Sequence, residues 1–432
     1  MRVLVTSPHR GAGYAIATAL RPHCAWLVAS ISTHRWSFAR SRLYDRVFKL
    51  SPPSDTWIAS PESPQAREHA ARLAEFCSLE RIDVLWPSND AELFAVVRNR
   101  QLFDSVGTRL AAPSFDSLVN CADKYSVLQA AQSVGFPVMP AIACESVDAA
   151  SDWLQAHRPP YVVKSRWSTN SNGVALCLNE KKALAAASDL IARGQSAILQ
   201  EYIPGNKEVS LHFLLGPGGE PLTEFALRKL RHLAPSYSTA VQVEAMPKEL
   251  DMAPRLLQRL GLTGFCVVQT RFDERDRKHK LIEINARFGT NSRILFAMAP
   301  DLAWLSALVA AGRGLEVARQ HAEAIAVGIP EMPPIGGRGG SPIEDVLSLW
   351  SLLLAKLDRS WAAHADFPGA LSYMHDLILF YLSGAKIDLH TRALRADPLA
   401  ALPYFAGLAR FVLPTAKRRR ALRLIPWGGS GS

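Results

Sequence analysis

Gln269, Glu283, Asn285 and Arg287 are the residues on which chemistry would turn. They lie within Gly264 to Arg287, GFCVVQTRFDERDRKHKLIEINAR, which reads as two strands joined by a charged turn. Side chains alternate along a strand, so Glu283, Asn285 and Arg287 share a face with Leu281 in step, and Ile282 and Ile284 take the other; in the first strand Gln269 and Arg271 share a face. A pleated surface carrying a carboxylate, two amides and two guanidiniums is costly to keep dry and unpaired, which points to a wet cleft. Oxygen ligands of this kind suit Mg²⁺, which is usually held by one or two carboxylates plus substrate phosphates. Phosphoryl chemistry is therefore the first reading. A solvent-exposed hairpin whose charges keep the chain soluble is the alternative that the pattern alone leaves open.

Phosphoryl chemistry also needs cations on the phosphates and a loop that closes over them. Lys124 and Lys164 supply point charges suited to phosphate oxygens, although a solvated surface role fits either one taken alone. Lys164 closes the apolar run Tyr161-Val-Val and leads into Ser165-Arg-Trp-Ser-Thr-Asn-Ser-Asn-Gly173, a loop so rich in Ser and Asn that it must be exposed or wrapped on a ligand. Arg228, Lys229, Arg231 and His232, near Tyr237, read as a polar loop after a hairpin that could receive an acceptor carboxylate; surface charge explains them equally well.

The elements that must position these residues alternate in kind. Arg2 to Thr6 is a short apolar run, Ser7 to Gly13 a glycine-containing turn, and Tyr14 to Leu20 helical. That order opens α/β domains and could present a helix N-terminus to an anion. Ile16 stands where a dinucleotide fingerprint wants its third glycine, so a plain turn is the stronger reading. Runs at Ala25 to Ser30, Ile82 to Pro87 and Thr108 to Ala112, alternating with helical Pro64 to Leu79, predict a small parallel sheet. One helix is expected from Asp116 to Gly135, then strands at Val138 to Ala143, Tyr161 to Lys164, Val174 to Leu178 and Ala197 to Tyr202, with helices at Ser146 to Ala156 and Lys181 to Arg193. Glu208 to Leu215 and Pro221 to Leu227 form a hairpin about Gly216-Pro-Gly-Gly219.

A chain of 432 residues is long enough for about two to four domains, and 48% hydrophobic against 20% charged residues is a globular balance. Its net charge of +10 suits an anionic partner without choosing among nucleotide, nucleic acid and membrane surface. Six scattered cysteines with no C-x-x-C pair read as reduced core residues of a cytoplasmic protein, not as zinc ligands or disulfides. The first residues form a strand rather than a signal peptide, and no segment reaches the ~20 apolar residues that span a bilayer.

The order of these features resembles the ATP-grasp superfamily, in particular its carboxylate–amine ligase and carbamoyl-phosphate-synthase-like branch. The resemblance covers about Met1 to Gly314 and is carried by Asp123-Lys124, Val162-Val-Lys164, the Ser165 to Gly173 loop, Gln200-Glu-Tyr-Ile-Pro-Gly205 with Glu208, and Gln269 with Ile282-Glu-Ile-Asn-Ala-Arg287. It implies an α/β and α+β architecture: a two-lobed grasp preceded by a small parallel α/β domain. The expected partition is 1–113, then the grasp at 114–328 with a hinge near 200–206, a linker at 329–342 and a helical appendage at 343–432. The resemblance further implies that Lys124 and Lys164 contact phosphate, that Glu201, Tyr202 and Ile203 hold adenine largely by main-chain groups, and that Glu208 accepts from the ribose hydroxyls. It makes Gln269, Glu283 and Asn285 ligands of Mg²⁺, with Mn²⁺ as an alternative, and Arg287 the residue that steadies the transferred phosphoryl group. Two departures stand out: the phosphate loop is poor in glycine, which bears on turnover more than on binding, and Ala286 replaces a common proline.

The implied reaction is activation of a carboxylate by the γ-phosphoryl group of ATP, followed by attack of an amine or thiol on the acyl-phosphate. A non-catalytic ATP-binding scaffold is the alternative. In the C-terminal region, helices are expected at 343–357, 368–383 and 398–412, followed by the basic run Lys417 to Arg423. They either pack on the body or rest on an anionic membrane. Nucleic-acid binding is not expected, because the basic residues lack interleaved stacking aromatics.

Overall fold

The computed structural model describes residues 1–8, 12–32, 41–167, 174–205, 207–234, 237–289, 291–313, 336–343, 345, 370–389, 391–392 and 397. Contacts divide the chain into two compact units, one of Met1–Ala111, Lys229–Val243 and Phe288 onward, the other of Ala112–Arg228 and Glu244–Arg287. These borders differ from the partition expected at 113/114 and 328/329, because strands from the middle and the end of the chain are built into the first unit.

The first unit opens with a parallel sheet in the order β3-β2-β1-β4-β5, made of β1 (Arg2–Thr6), β2 (Trp26–Ser32), β3 (Arg46–Leu50), β4 (Val84–Trp86) and β5 (Arg109–Leu110). Buried parallel strands need continuous apolar runs, and β1 and β2 are buried along almost their whole length. The helix Pro64–Glu80 starts where Ser63 accepts from the Ala66 amide, with Pro64 in the first turn, and ends at Arg81 in the left-handed conformation. At the end of β1, Thr6 donates to buried Glu92 at 2.7 Å and His69 lies 3.1 Å from the same carboxylate. Burial opposes the Glu92 charge, but His69, Ser7 and Thr6 more than offset it and hold its pKa below the usual carboxylate value.

The second unit holds an antiparallel sheet in the order β6-β9-β7-β8, from β6 (Ala141–Cys144), β7 (Tyr161–Ser165), β8 (Ala175–Cys177) and β9 (Ala197–Glu201). One face of it packs Tyr161, Val163, Cys177 and Leu199 against the helices Val147–Ala156 and Glu180–Ala192. The chain continues through β10 (Glu208–Leu215), β11 (Pro221–Ala234), β12 (Tyr237–Glu244), β13 (Gly264–Asp273) and β14 (Lys278–Asn285). In the second unit β10 pairs antiparallel with both β11 and β13, and β13 with β14. Arg228, Lys229, Arg231 and His232, expected in a loop, belong to β11, whose ladder simply continues past Leu227.

The single helix expected over 116–135 is two, Phe115–Ala122 and Lys124–Ser133, broken at Asp123. Asp123 is extended and caps the second helix by accepting from the Tyr125 and Ser126 amides. A further difference lies in the stretch expected as a linker. At its described end Arg338–Gly340 forms β15, antiparallel to β12 and parallel to β16 (Lys386–Ile387). Gly340 is there because an added Cβ would meet Tyr381, Phe380 and the Thr239 carbonyl. The expected helix at 368–383 is seen at Ala370–Leu382, whereas those at 343–357 and 398–412 lie almost wholly outside the described residues. No single helix among the described residues is long and apolar enough to cross a membrane.

Two ion pairs tie the late segments into the first unit. Arg231 holds fully buried Asp345 through two bonds of 3.1 and 2.8 Å, and Tyr381 donates to the same carboxylate at 2.8 Å. Arg293 and Asp388 are both fully buried, with Nε 3.2 Å from Oδ2 in poor hydrogen-bond alignment, so the contact is an ion pair rather than a directed bond. Burial raises the Asp388 pKa, and Arg293 offsets that only in part. Removing one partner of such a pair strands the other: Arg293→Met is expected to cost about 3–5 kcal/mol in urea unfolding, and Asp388→Leu in the same chain to recover most of it.

Candidate functional site

Lys164 and Gln200 occupy the face of the small sheet opposite to its helix-covered one. The register sets Leu176, Val162, Gln200 and Ala141 in one row, and Lys164, Ile198 and Ala143 in the next. Leu176 is half exposed, at 53%, so this face has an open apolar floor. Lys164 Nζ donates to Gln200 Oε1 at 3.0 Å. Burial drives the Lys164 pKa down to about 8, with Glu283 opposing the shift and Lys124 adding to it. The three groups named far apart in sequence thus lie within one electrostatic neighbourhood in the second unit.

Lys124 enters that neighbourhood through the helix break. Asp123, buried, takes Arg166 in two bonds of 2.7 and 2.6 Å as well as Ser126 Oγ at 2.7 Å. Burial works against the Asp123 charge, yet Arg166 and Ser126 outweigh it and leave the pKa low. The Lys124 amide donates to the Arg166 carbonyl at 3.3 Å. The start of the Ser/Asn-rich loop is therefore latched to the first turn of the helix that carries Lys124. Residues 168–173 of that loop lie outside the described ones.

Across the hairpin, Gln269 is directly opposite Glu283 and Val267 opposite Asn285, but Thr270 is opposite Leu281, which leaves Ile282 as an extra residue. The bulge corrects the expected alternation. Leu281 is not in step with Glu283; it and Ile284 are buried, while Glu283 and Asn285 are half-buried on the other face. Asn285 Nδ2 donates to Glu283 Oε1 at 3.1 Å, and because a carboxylate only accepts, the Asn285 Oδ1 remains an oxygen donor. One carboxylate and two amide oxygens fit a hard cation that takes its other ligands from phosphates and water. Among the described residues no group of three or more His, Cys, Asp or Glu is arranged to hold a metal by itself. Arg287 follows, half-buried.

The segment Glu201 to Ile203 is held from two sides. The Glu201 and Tyr202 amides donate to Pro140 and Pro160 carbonyls at 3.1 and 3.0 Å. Arg275, paired with buried Asp273 at the hairpin turn, reaches the Tyr202 carbonyl at 3.3 Å, and Arg271 reaches that of Ile203 at 3.4 Å. Arg271 also lies over the Tyr202 ring and pairs with Glu208, its Nε 3.2 Å from Oε1. Arg228 is paired with Glu244, and Arg231 is the Asp345 anchor, so the structure gives both a partner within the fold. Lys229 continues β11.

Three contributors were not singled out in the sequence. Gln200 holds Lys164; Arg166 latches the loop; His212 sits on the same face as Gln269, stacked on Phe225 at 5.0 Å, neutral because burial lowers its pKa to about 3. Arg166 and Gln200 left a signal, the one a basic residue two positions after Lys164, the other the first residue of the Gln200 to Gly205 motif.

No family model matches the sequence. The chain is similar to the carbamoyl phosphate synthase large chain of Thermomicrobium roseum, with 21% identity over 230 residues, covering 50% of this chain and 21% of that protein; it spans about a fifth of that relative's length. Among solved structures, it is similar to the biotin carboxylase–β-γ-ATP complex from Campylobacter jejuni, at TM-score 0.58 and 14% identity over 72% of this chain and 71% of that one. It is also similar to the biotin carboxylase domain of 2-oxoglutarate carboxylase from Hydrogenobacter thermophilus, in complex with MgADP, ADP and bicarbonate, at TM-score 0.56 and 16% identity over 72% and 70%. Identities this low speak for the shared fold. Within the site, Arg166→Gln is expected to lose roughly 1–2 kcal/mol by leaving buried Asp123 without its cation, and hydrogen exchange should locate the loosening at the Lys124 amide.

Proposed function

We propose that this chain, a member of the ATP-grasp superfamily with a parallel α/β domain ahead of the grasp, is an ATP-dependent, ADP-forming ligase that joins a carboxylate to an amine. The observation that carries this reading is the setting of Lys164: it is buried and bonded to Gln200, the Lys124 amide is latched to the Arg166 carbonyl two residues beyond Lys164, and Glu283, on a separate element, is near enough to act on its charge. Two lysines beside one carboxylate and two amide oxygens make a place for a triphosphate and its cation.

In the proposed reaction Lys124 and Lys164 bind the phosphate oxygens and spread the charge that develops as the γ-phosphoryl group moves to the substrate carboxylate. Glu208, oriented by Arg271, would accept from the ribose hydroxyls, and Glu201 to Ile203 would hold the base through the main chain. Gln269, Glu283 and Asn285 would hold Mg²⁺, which supplies charge neutralisation between the phosphates. Arg287 steadies the phosphoryl group and then the acyl-phosphate, which the amine opens with release of phosphate. Closure of the loop after Ser165 would keep water from that intermediate. The substrate pair is a small-molecule acid and amine.

A peripheral contact with anionic membrane is a separate proposal. On the helix Ala370–Leu382, Met374, Ile378 and Leu382 are exposed at spacings of four residues, 41, 52 and 78% respectively, and Ile387 is exposed nearby in sequence. Flotation with phosphatidylglycerol vesicles should carry the chain upward, and Ile378→Asp with Leu382→Asp should leave it at the bottom.

Two results test the enzyme reading. Glu283→Gln is expected to reduce ADP formation by at least about a hundredfold while ATP binding persists; unchanged turnover overturns the metal assignment. Because Lys164 is charged only below about pH 8, ATP affinity should be flat below that pH and fall above it, by about tenfold per pH unit. Calorimetric titration from acid to alkaline pH reads this directly, and Lys164→Arg, whose guanidinium keeps its charge, should remove the fall.

A further inference from the structure

Gln200 has an orientation that its neighbour dictates. An ammonium group only donates, so the amide atom that faces Lys164 must be Oε1, and the 3.0 Å bond between them fixes which way the amide is turned. Nε2 is consequently directed away from Lys164. It is buried, on a side chain only 5% exposed, and has no hydrogen-bond partner among the described residues. Buried donors are seldom left without an acceptor, because the loss of water is then uncompensated.

The row in which Gln200 stands says what could supply that acceptor. Val162 is directly opposite Gln200, and Leu176 directly opposite Val162, so the amide sits at the border of the open apolar floor. A flat heteroaromatic ring lying on Val162 and Leu176 would bring its edge to Nε2. On an adenine ring the exocyclic N6 donates and cannot answer a donor; on the reading proposed above, N1 would be taken by the main chain of Glu201 to Ile203, which directly follows Gln200, and N3 borders the ribose. The remaining acceptor is N7.

We propose that Gln200 is a base-recognition residue, its Nε2–H donating to N7 of the purine while its Oε1 holds Lys164 toward the phosphates. The inference rests on the nucleotide reading above and adds a specificity to it: the slot selects a ring with an acceptor at that edge. One amide then couples the base to the phosphate site, since a shift of Gln200 toward either ligand atom moves the other contact.

Binding of ATP and of 7-deaza-ATP, which lacks only the N7 acceptor, tests this by calorimetry with Mg²⁺ present. The unaltered chain is expected to prefer ATP by roughly fivefold to tenfold, the worth of one neutral hydrogen bond. Gln200→Glu keeps an oxygen on Lys164 but carries no N–H, so it should bind both nucleotides alike; Gln200→Leu should do the same and also weaken ATP through loss of the Lys164 contact. Equal binding of the two nucleotides by the unaltered chain overturns the N7 assignment, as it would if a phosphate oxygen were the acceptor. Persistence of the preference in Gln200→Glu also overturns it. A chain that binds neither nucleotide, yet unfolds cooperatively, overturns the nucleotide reading itself and the Gln200 role with it.

Discussion

A charged ammonium in the interior is the constraint around which the second unit is arranged. Burial works against the Lys164 charge, and a second lysine nearby works in the same direction; among the described residues the Gln200 carbonyl and the Glu283 carboxylate favour it. Such a site is incompletely compensated as it stands, which is why the pKa falls. A polyanion would relieve it from outside, by neutralising both lysines at once. Binding energy is thereby stored in the fold as unpaid desolvation, and it becomes available only to a ligand that brings negative charge to that spot.

The remaining pieces are held in place by a repeated device, a buried carboxylate gripped by an arginine. Asp123 with Arg166 sets the helix that starts at Lys124 against the loop that starts at Ser165. Asp273 with Arg275 sets the hairpin turn against the Tyr202 carbonyl, and the arginine keeps the aspartate pKa well below its ordinary value. In each case a rigid, two-pronged contact joins segments far apart in sequence, which a longer, flexible lysine would do less well. Precision of about an ångström in a binding site needs such fixed supports.

How much of this the sequence discloses depends on the length scale of the cause. Local causes were legible: β1 from its apolar run and the helix from Pro64 from its pattern, which the Ser63 cap and Pro64 in the first turn support in the structure. The ATP-grasp architecture was legible from the order of Asp123-Lys124, Lys164, the hinge and the Gln269 to Arg287 hairpin, because order survives where identity does not. What failed were properties set by a partner across the fold. The bulge at Ile282 exists only relative to β13, so strict alternation placed Leu281 on the wrong face. The helix break at Asp123 reads as one apolar-periodic stretch because only half of what holds it is local, the cap on the Tyr125 and Ser126 amides; the other half, the Arg166 pair, lies some forty residues on. Arg338–Gly340 looks like a glycine linker until Tyr381 and Phe380 leave no room for a Cβ.

The same reasoning explains why substrate identity resists reading. Arg228 and Arg231 have the charge to receive a substrate carboxylate, yet each meets an acid of its own chain, Glu244 and Asp345. Asp345 arrives more than a hundred residues later in sequence and is fully buried, so withdrawing Arg231 toward a substrate acid would strand it. A cation already matched to a buried carboxylate is a poor binder of a second one, because the new bond must first replace the old. Positive residues on a strand therefore count as candidate substrate groups only after their internal partners are known, and a buried lysine such as Lys164, bonded to a neutral amide oxygen, is the better candidate for an anion.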